Sequence, residues 1–247
     1  MNQQVEQLKL IKDQIVRFMM MYQFALSELE TKIEILKEEF HLLHDYNPIE
    51  HTKTRLKSPE SIMNKLLRKG GGGSLDNIRE KVKDIAGMRI TCSFISDIYW
   101  IRDMLKSQSD LNIVEVKDYI ASPKPNGYKS LHLLIEVPVY TSDRRELVYV
   151  EVQIRTIAMD FWASLEHKIF YKYNGSVPER MLADLKGAAD VANALDVKME
   201  SLHREVAAIK SAQQDDAEAE LARLVSGARE LPIPRALLEL IGGEGRD

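Results

Sequence analysis

Apolar side chains occupy every second position along residues 148–155, and this alternation constrains the fold more than any other feature. The apolar positions are Val148, Val150, Val152 and Ile154, and Glu151, Gln153 and Arg155 lie between them. A period of two is that of a β-strand, whose successive side chains point to opposite faces. The segment therefore predicts a sheet with one face buried in a core, while the other carries a carboxylate, an amide and a guanidinium. Such a face is suited to holding a metal ion and phosphate groups.

A second segment, Lys-Pro-Asn-Gly-Tyr-Lys-Ser-Leu-His at residues 124–132, predicts a loop that leads into an apolar strand. Gly127 permits the positive φ that a turn after Asn126 needs. The ring of Tyr128 can stack on a base through its face, so we expect Tyr128→Phe to be mild. The alternative is a tyrosine buried in the core at a loop–strand junction.

Residues 1–43 contain neither Pro nor Gly and predict one long helix. Apolar residues recur there at steps of three and four, which is typical of a helix with one buried stripe. The stripe is Leu8, Ile11, Ile15, Phe18, Tyr22, Ala25, Leu29, Ile33, Leu36, Phe40 and Leu43. We expect most of it to pack on its own domain, and some of it could face another subunit.

The remaining elements alternate in type along the chain. We expect strands at 84–94, 113–120, 131–139 and 147–155, a helix from an N-cap at Ser96 to about Leu105, and helices at 158–171 and 178–209. This order implies a mixed sheet with helices packed on it. The predicted regions are a helical 1–50, a central domain at 51–175, a helix at 176–210 and an acidic, partly disordered tail at 211–247.

Residues 51–69 are strongly basic. The cations are Lys53, Arg55, Lys57, Lys65, Arg68 and Lys69, against the single acid Glu60. Ser58-Pro59-Glu60 is typical of a helix start, and a helix N-terminus beside clustered cations indicates an anion site. The alternative is a solvated basic face. The following glycines, 70–73, lack the Gly-Lys-Ser/Thr of a phosphate-binding loop and predict a flexible linker.

Composition excludes several classes of protein. The formal net charge is −4, which gives no overall attraction to nucleic acid. Cys92 is the only cysteine, so no disulfide forms within the chain and we expect a cytoplasmic protein. No apolar run approaches the ~20 residues of a membrane span, so we expect no membrane partner.

Asp84 and Glu151 are the candidate metal ligands. Each lies at or within an apolar strand, and Mg²⁺ prefers carboxylate oxygens. Taken alone, Asp84 is better interpreted as a cap between loop and strand. The alternative for Glu151, an exposed strand position, is disfavoured by the neighbouring Gln153 and Arg155.

Four motifs in order resemble the synthetase domain of the RelA/SpoT family, the enzymes that make the alarmone (p)ppGpp. They are Arg-x-Lys-Ser-x-x-Ser at 55–61, Asp-Ile-Ala-Gly-x-Arg at 84–89, the loop at 124–132 and Glu-Val-Gln-Ile-Arg-Thr at 151–156. The chain is too short for the hydrolase and regulatory domains of long members, so we expect a small alarmone synthetase. The implied fold is α/β (α+β), a nucleotidyltransferase-like mixed sheet of about five strands flanked by helices.

The resemblance also implies roles for individual residues. Glu151 and Asp84 would be catalytic and would bind Mg²⁺, with Glu151 as the base. ATP would be bound by Arg55, Lys57, Ser58, Ser61, Lys65, Arg68 and Arg89. GTP or GDP would be bound by Lys124, Asn126, Tyr128, Lys129, His132, Gln153, Arg155 and Asp160. Asp160 could pair with both N1–H and N2–H of guanine, or it could be an acid favoured by a helix dipole.

The implied reaction transfers the β,γ-pyrophosphate of ATP to the 3′-hydroxyl of GTP or GDP and releases AMP. Two alternatives stay open: a nucleotidyltransferase that releases pyrophosphate, and an idle module that binds nucleotide or RNA. The resemblance implies a homotetramer, and single-stranded RNA or (p)ppGpp are candidate regulators.

Overall fold

A computed structural model describes residues 2–44, 46–170 and 177–212. Of the tail predicted at 211–247, residues 213–247 lie outside the described part, as does the predicted boundary at 175, and residues 211 and 212 belong to α6. In chain order the elements are α1 (Asn2–Leu43), β1 (Ile49–Leu56), α2 (Pro59–Arg68), α3 (Leu75–Lys81), β2 (Ala86–Cys92), α4 (Ile95–Ser107), β3 (Asn112–Asp118), β4 (Leu131–Tyr140), β5 (Arg145–Thr156), α5 (Ile157–Phe170) and α6 (Glu179–Ala212).

The strands form one five-stranded sheet in the order β1-β2-β5-β4-β3. β2 and β5 run parallel, and the other neighbouring pairs are antiparallel. The mixed sheet flanked by helices is therefore confirmed. The central pair β2–β5 carries the Asp-Ile-Ala-Gly and Glu-Val-Gln-Ile-Arg segments side by side.

Strand β1 occupies part of the segment that was predicted only as a basic stretch. Thr52, Thr54 and Leu56 are half-buried and alternate with the exposed Lys53 and Arg55. Threonines replace the apolar residues of an ordinary strand pattern, which is why the period of two is hard to recognise. The predicted boundary between residues 50 and 51 lies inside this strand.

One face of the sheet is covered by helices. The alternating apolar residues of β2, β4 and β5 share a core with α1 and α4. Within the α1 stripe, the residues from Phe18 to Phe40 are buried, whereas Leu8 and Ile15 nearer the N-terminus are 66% and 41% exposed. The opposite face carries the polar residues of β5, as the alternation predicts.

The predicted N-cap of α4 is wrong. The helix begins at Ile95 after the extended Phe94, and the Asp97 carboxylate accepts a hydrogen bond from the Phe94 amide at 2.9 Å. The backbone N–H of Ser96 instead donates to the carboxylate of Glu200 on α6, at 3.1 Å. A tertiary contact therefore satisfies one of the free N–H groups in the first turn of α4.

Helices α5 and α6 pack against each other at the carboxyl end of β5. They hold a second, smaller apolar cluster of Trp162, Ala163 and Ala189, with Tyr128 packed against it. None of the described helices combines the length and apolar character needed to cross a membrane.

Candidate active site

Strand register arranges the polar face in rows. Glu151 on β5 lies level with Gly87 on β2, and Gln153 lies level with Arg89 on β2 and His132 on β4. Because Gly87 has no side chain, space remains beside the Glu151 carboxylate. The predicted site residues of separate motifs therefore meet on one surface.

Two clefts of about 230 Å³ each open on this face, and Glu151 lines both. The arginine cleft is lined by Lys53, Arg55, Gly87, Met88, Arg89, Glu151 and Gln153. The lysine cleft is lined by Lys65, Lys69, Lys83, Asp84, Glu115, Lys117, His132, Leu133, Leu134 and Glu151. The predicted ATP and GTP residues are not divided between them, since each cleft contains members of both sets.

Asp84 holds two ammonium groups. Its Oδ2 accepts from Lys57 Nζ at 2.7 Å and from Lys65 Nζ at 2.6 Å, while Oδ1 is buried with no hydrogen-bond partner. Burial raises the pKa of Asp84, but the two lysines outweigh it and lower that pKa to about 2. Burial lowers the pKa of Lys57 in spite of Asp84, and the nearby Lys65 and Arg55 lower it further.

Glu151 is held as an anion. Gln153 Nε2 donates to its Oε2 at 2.8 Å, and His132 Nδ1 lies 3.5 Å from its Oε1. Burial raises the pKa of Glu151, and the hydrogen bonds from His132 and Gln153 more than compensate, so that the pKa is lowered. The carboxylate is therefore ionised and oriented between the two clefts.

Arg155 is the centre of a buried polar network. Its side chain is 5% exposed, and its NH1 lies 3.1 Å from Asp160 Oδ1. Its NH2 donates to the Tyr128 hydroxyl at 2.6 Å and to Gln153 Oε1 at 2.8 Å. Arg155 thereby connects the loop ring, α5 and the amide that orients Glu151.

Arg89 shares the same acid. Its NH1 lies 3.0 Å from Asp160 Oδ1, and its Nε is buried without a hydrogen-bond partner. Burial and the neighbouring Arg155 lower the pKa of Arg89. Asp160 thus receives two guanidinium groups, so it is more than a helix-capping acid.

The predicted residues of the loop point in two directions. Most of them lie around Tyr128, and Lys129 points to α6. Lys124 Nζ lies 4.7 Å from the centroid of the Tyr128 ring, and the Tyr128 hydroxyl lies 2.7 Å from His132 Nε2. Asn126 Oδ1 accepts from the Tyr128 amide at 3.2 Å and so shapes the turn. Lys129 does not follow them, because its ammonium donates to Asn193 on α6.

The predicted residues of α2 also divide. Ser58 is the N-cap, and its Oγ accepts from the Ser61 amide at 3.3 Å, as predicted. Lys65 reaches Asp84, but Arg68 Nε donates to the Asn64 carbonyl of its own helix at 3.3 Å. Lys65 therefore lines the lysine cleft, whereas Ser58 caps the helix and Arg68 lies outside the two clefts.

Sequence reasoning missed three residues of the lysine cleft, namely Lys83, Glu115 and Lys117, whereas Lys69 belongs to the basic stretch that was predicted to bind an anion. Lys117 Nζ lies 2.9 Å from Glu115 Oε2, and Lys117 lies level with His132. Their period of two on β3 was an available signal, because strand register carries it into the row of His132 and Gln153.

The site suits a magnesium ion that arrives with phosphate. In the described part of the chain, no group of three or more His, Cys, Asp or Glu side chains is placed to hold a metal. Asp84 and Glu151 nevertheless line one cleft, and Asp84 Oδ1 is a buried oxygen without a partner. Mg²⁺ commonly takes one or two carboxylates and completes its shell with water and substrate phosphates. The two acids fit that mode of binding rather than a protein cage.

Comparison with known proteins finds a matching family and related sequences. Residues 54–176 match the region found in RelA and SpoT proteins. GTP pyrophosphokinase YwaC of Bacillus subtilis is 54% identical over 202 residues, covering 82% of this chain and 96% of that protein.

Solved structures of the same kind of protein are also similar to this chain. Small alarmone synthetase 2 of Bacillus subtilis has a TM-score of 0.70 and 56% identity, covering 76% of this chain and 96% of that one. Small alarmone synthetase 1 of the same organism, bound to its product pppGpp, has a TM-score of 0.72 and 39% identity, covering 78% of this chain and 98% of that one. With this fold and this polar face, the chain belongs to the RelA/SpoT family, among its small alarmone synthetases.

Proposed function

We propose that the chain is a GTP pyrophosphokinase whose chemistry takes place on the polar face of the sheet. It transfers the β,γ-pyrophosphate of ATP to the 3′-hydroxyl of GTP or GDP and thereby makes (p)ppGpp and AMP. The observation that carries the site assignment is the ionised Glu151 carboxylate, which lines both clefts at once. A base between the clefts can reach the acceptor hydroxyl while the donor phosphates are held beside it.

In the reaction, the 3′-oxygen of the acceptor forms a bond to the β-phosphorus of ATP, and the bond from that phosphorus to the α,β-bridging oxygen breaks. Glu151 accepts the hydroxyl proton. Its pKa is lowered, so Glu151 is ionised at neutral pH, and Gln153 and His132 fix its direction. The leaving AMP carries the bridging oxygen and its electron pair.

The cations around Asp84 would neutralise the negative charge of the phosphates. Lys57 and Lys65 already point to one carboxylate, and Ser58 opens α2 beside them, so phosphates would meet ammonium groups and helix N–H donors together. Mg²⁺ bound by Asp84 and Glu151 would neutralise phosphate oxygens when present. Arg55 and Arg89 line the arginine cleft and supply further positive charge.

The guanosine acceptor is assigned to the loop ring and its surroundings. Tyr128 offers a base-stacking surface, with Lys124 near its ring and His132 at its hydroxyl. Asp160 is available to a guanine edge only through exchange with its guanidinium partners, Arg89 and Arg155. That exchange would couple acceptor binding to the orientation of Gln153 and hence of Glu151.

Product analysis tests the function. The protein is incubated with labelled ATP, GTP and Mg²⁺, and we expect AMP and a 3′-pyrophosphorylated guanosine nucleotide. Free pyrophosphate would indicate the nucleotidyltransferase alternative, and the absence of any product would indicate the idle module.

Glu151→Gln tests the base. The amide keeps the volume but cannot accept the proton, so we expect kcat to fall by about two to four orders of magnitude. Melting temperature and calorimetric binding of each nucleotide serve as controls for folding and binding. A kcat within a few-fold of the parent would remove Glu151 from this role.

We also propose an oligomeric state, a cellular location and candidate regulators for the protein. The resemblance to the family implies a homotetramer, and the exposed apolar residues in the first turns of α1 support self-association. A cytoplasmic location fits the single buried Cys92 and the nucleotide substrates. Single-stranded RNA and (p)ppGpp are the candidate regulators, and adding each to the product assay tests them.

A further inference from the structure

Helix α6 begins beyond the segment that matches the family model, yet it contacts the predicted acceptor loop. A Cβ atom at Gly127 would lie 2.5 Å from Ala189 Cβ and 3.7 Å from the Lys186 carbonyl oxygen. Gly127 also has a φ of 88°, which favours glycine. The turn that precedes Tyr128 is therefore seated directly on α6.

A side-chain hydrogen bond joins the same two elements. Lys129 Nζ donates to Asn193 Oδ1, so the ammonium points to α6. Lys129 lines a small cavity with Met159, Trp162 and Asp196, whereas the lysine cleft is lined by His132 from the same loop and strand. Within four residues, the chain thus presents His132 to the reaction site and Lys129 to α6.

The end of β5 is attached to α6 as well. Thr156 Oγ1 donates to Asp196 Oδ2 at 2.7 Å and accepts from the Met159 amide at 3.1 Å. Thr156 and Asp196 are both buried. Thr156 follows Arg155 directly, so α6 fixes the strand end that carries the Arg155 network.

The ring of Tyr128 packs on the same helix. It lies against the apolar cluster of Trp162, Ala163 and Ala189, and Trp162 Nε1 donates to the Leu185 carbonyl of α6 at 3.1 Å. Contacts at the turn, at Lys129, at Thr156 and at the ring are therefore independent and converge on one face of α6.

We propose that α6 is the supporting wall of the acceptor site and that Asn193 is a positioning residue, which acts on the guanosine nucleotide through Lys129. This deepens the proposed function and rests on it. Lys129 then has a different role from the direct contact with GTP or GDP that the resemblance implies. Its ammonium anchors the loop, and Lys124 and His132 are left to meet the nucleotide.

The first test compares Asn193→Ala with Asn193→Asp. Alanine is the better helix former, so α6 is not weakened, and aspartate keeps an acceptor for the ammonium. For Asn193→Ala we expect the KM for GTP to rise about 2- to 10-fold, the effect of one net hydrogen bond, with the KM for ATP and the melting temperature unchanged. Asn193→Asp should restore the parent KM. An unchanged KM for GTP, or an equal change for both substrates, would overturn the proposal.

The second test is a double-mutant cycle between Asn193→Ala and Lys129→Ala. If the pair acts as a unit, the double variant will have the same KM for GTP as either single variant. If the two effects multiply instead, Asn193 does not act through Lys129 and the proposal fails.

The third test enlarges a side chain of α6 that lies against the loop. Ala189→Leu places a larger side chain against Gly127, and we expect a raised KM for GTP. Ala194→Leu, an exposed position on the same helix, is the matched control. Equal effects of the two variants would contradict the proposal.

Failures of the two proposals are distinguishable. If the parent protein makes no AMP from ATP and GTP, the proposed function falls, and the role of α6 falls with it. If the parent makes AMP while calorimetric GTP binding is the same for the parent, Asn193→Ala and Ala189→Leu, only the role of α6 is overturned.

Discussion

At the scale of single residues, the Tyr128 hydroxyl has a role that its ring alone does not suggest. It accepts from Arg155 NH2 at 2.6 Å and lies 2.7 Å from His132 Nε2. Sequence reasoning considered only the ring face and predicted that phenylalanine would be tolerated. The structure instead makes the hydroxyl a link between the acceptor loop and the network that orients Glu151.

Tyr128→Phe is therefore expected to be harmful. Loss of the acceptor leaves a buried guanidinium short of one partner, which costs about 1.5–3 kcal/mol for a hydrogen bond to a charged group. We expect a lower melting temperature and a raised KM for GTP. Tyr119→Phe, which removes the hydroxyl of the neighbouring ring, is the control. If Tyr128→Phe matches that control, the hydroxyl has no such role.

Asp84 gives the protein an acid-sensitive contribution to stability. Its pKa is lowered from 3.8 to about 2 in the folded protein. The stabilisation is therefore fully present above pH 3.8 and is lost as the pH falls toward 2. We expect Asp84→Asn to lower the free energy of unfolding by about 2 kcal/mol at neutral pH.

Urea unfolding of the parent and of Asp84→Asn at several pH values checks this. The difference between them should shrink as the pH falls through the folded pKa of about 2. A difference that is constant with pH would mean that the ion pairs with Lys57 and Lys65 do not stabilise the fold.

At the scale of elements, two neighbouring helices offer a matched comparison. Ser58 caps α2 by accepting from the Ser61 amide at 3.3 Å, and Ser74 caps α3 by accepting from the Asn77 amide at 3.2 Å. Replacement of either cap by alanine should cost about 1 kcal/mol of stability. Because α2 starts beside Lys57, only Ser58→Ala should also raise the KM for ATP. Equal KM values for the two variants would remove Ser58 from the donor site.

Strand β1 is an element that the sequence analysis did not predict. Its lysines and arginine dominate residues 51–57, and threonines occupy the half-buried positions. A basic helix start follows directly and was recognised. The strand forms because its backbone pairs with β2, where Arg55 lies opposite Gly87 and Lys53 opposite Arg89, and such pairing depends on a distant segment.

At the scale of the whole molecule, α1 extends beyond the core that it covers. Leu8 and Ile15 are exposed, although they continue the stripe that Phe18 and Leu29 bury. If a second copy covers these turns, Leu8→Glu and Ile15→Glu should lower the mass measured by sedimentation. Val114→Glu, at another exposed apolar position on β3, should not. A monomeric parent protein at all concentrations would contradict the proposed tetramer.

The sequence by itself determined the parts that depend on local periodicity. Alternation in β5 predicts the polar face, steps of three and four predict α1, and Ser58-Pro59 predicts the start of α2. Motifs in order indicate the family. These predictions were possible because each pattern or motif lies within one continuous segment of the chain.

Only the tertiary structure decided which side chains meet. Lys129 turns to Asn193, Ser96 meets Glu200, and Arg155 joins Tyr128 to Asp160. Each contact joins residues of different segments, and its geometry follows from strand register and helix packing. Local sequence fixes which chemical groups are available, whereas the folded chain fixes their distances, and reactivity depends on those distances.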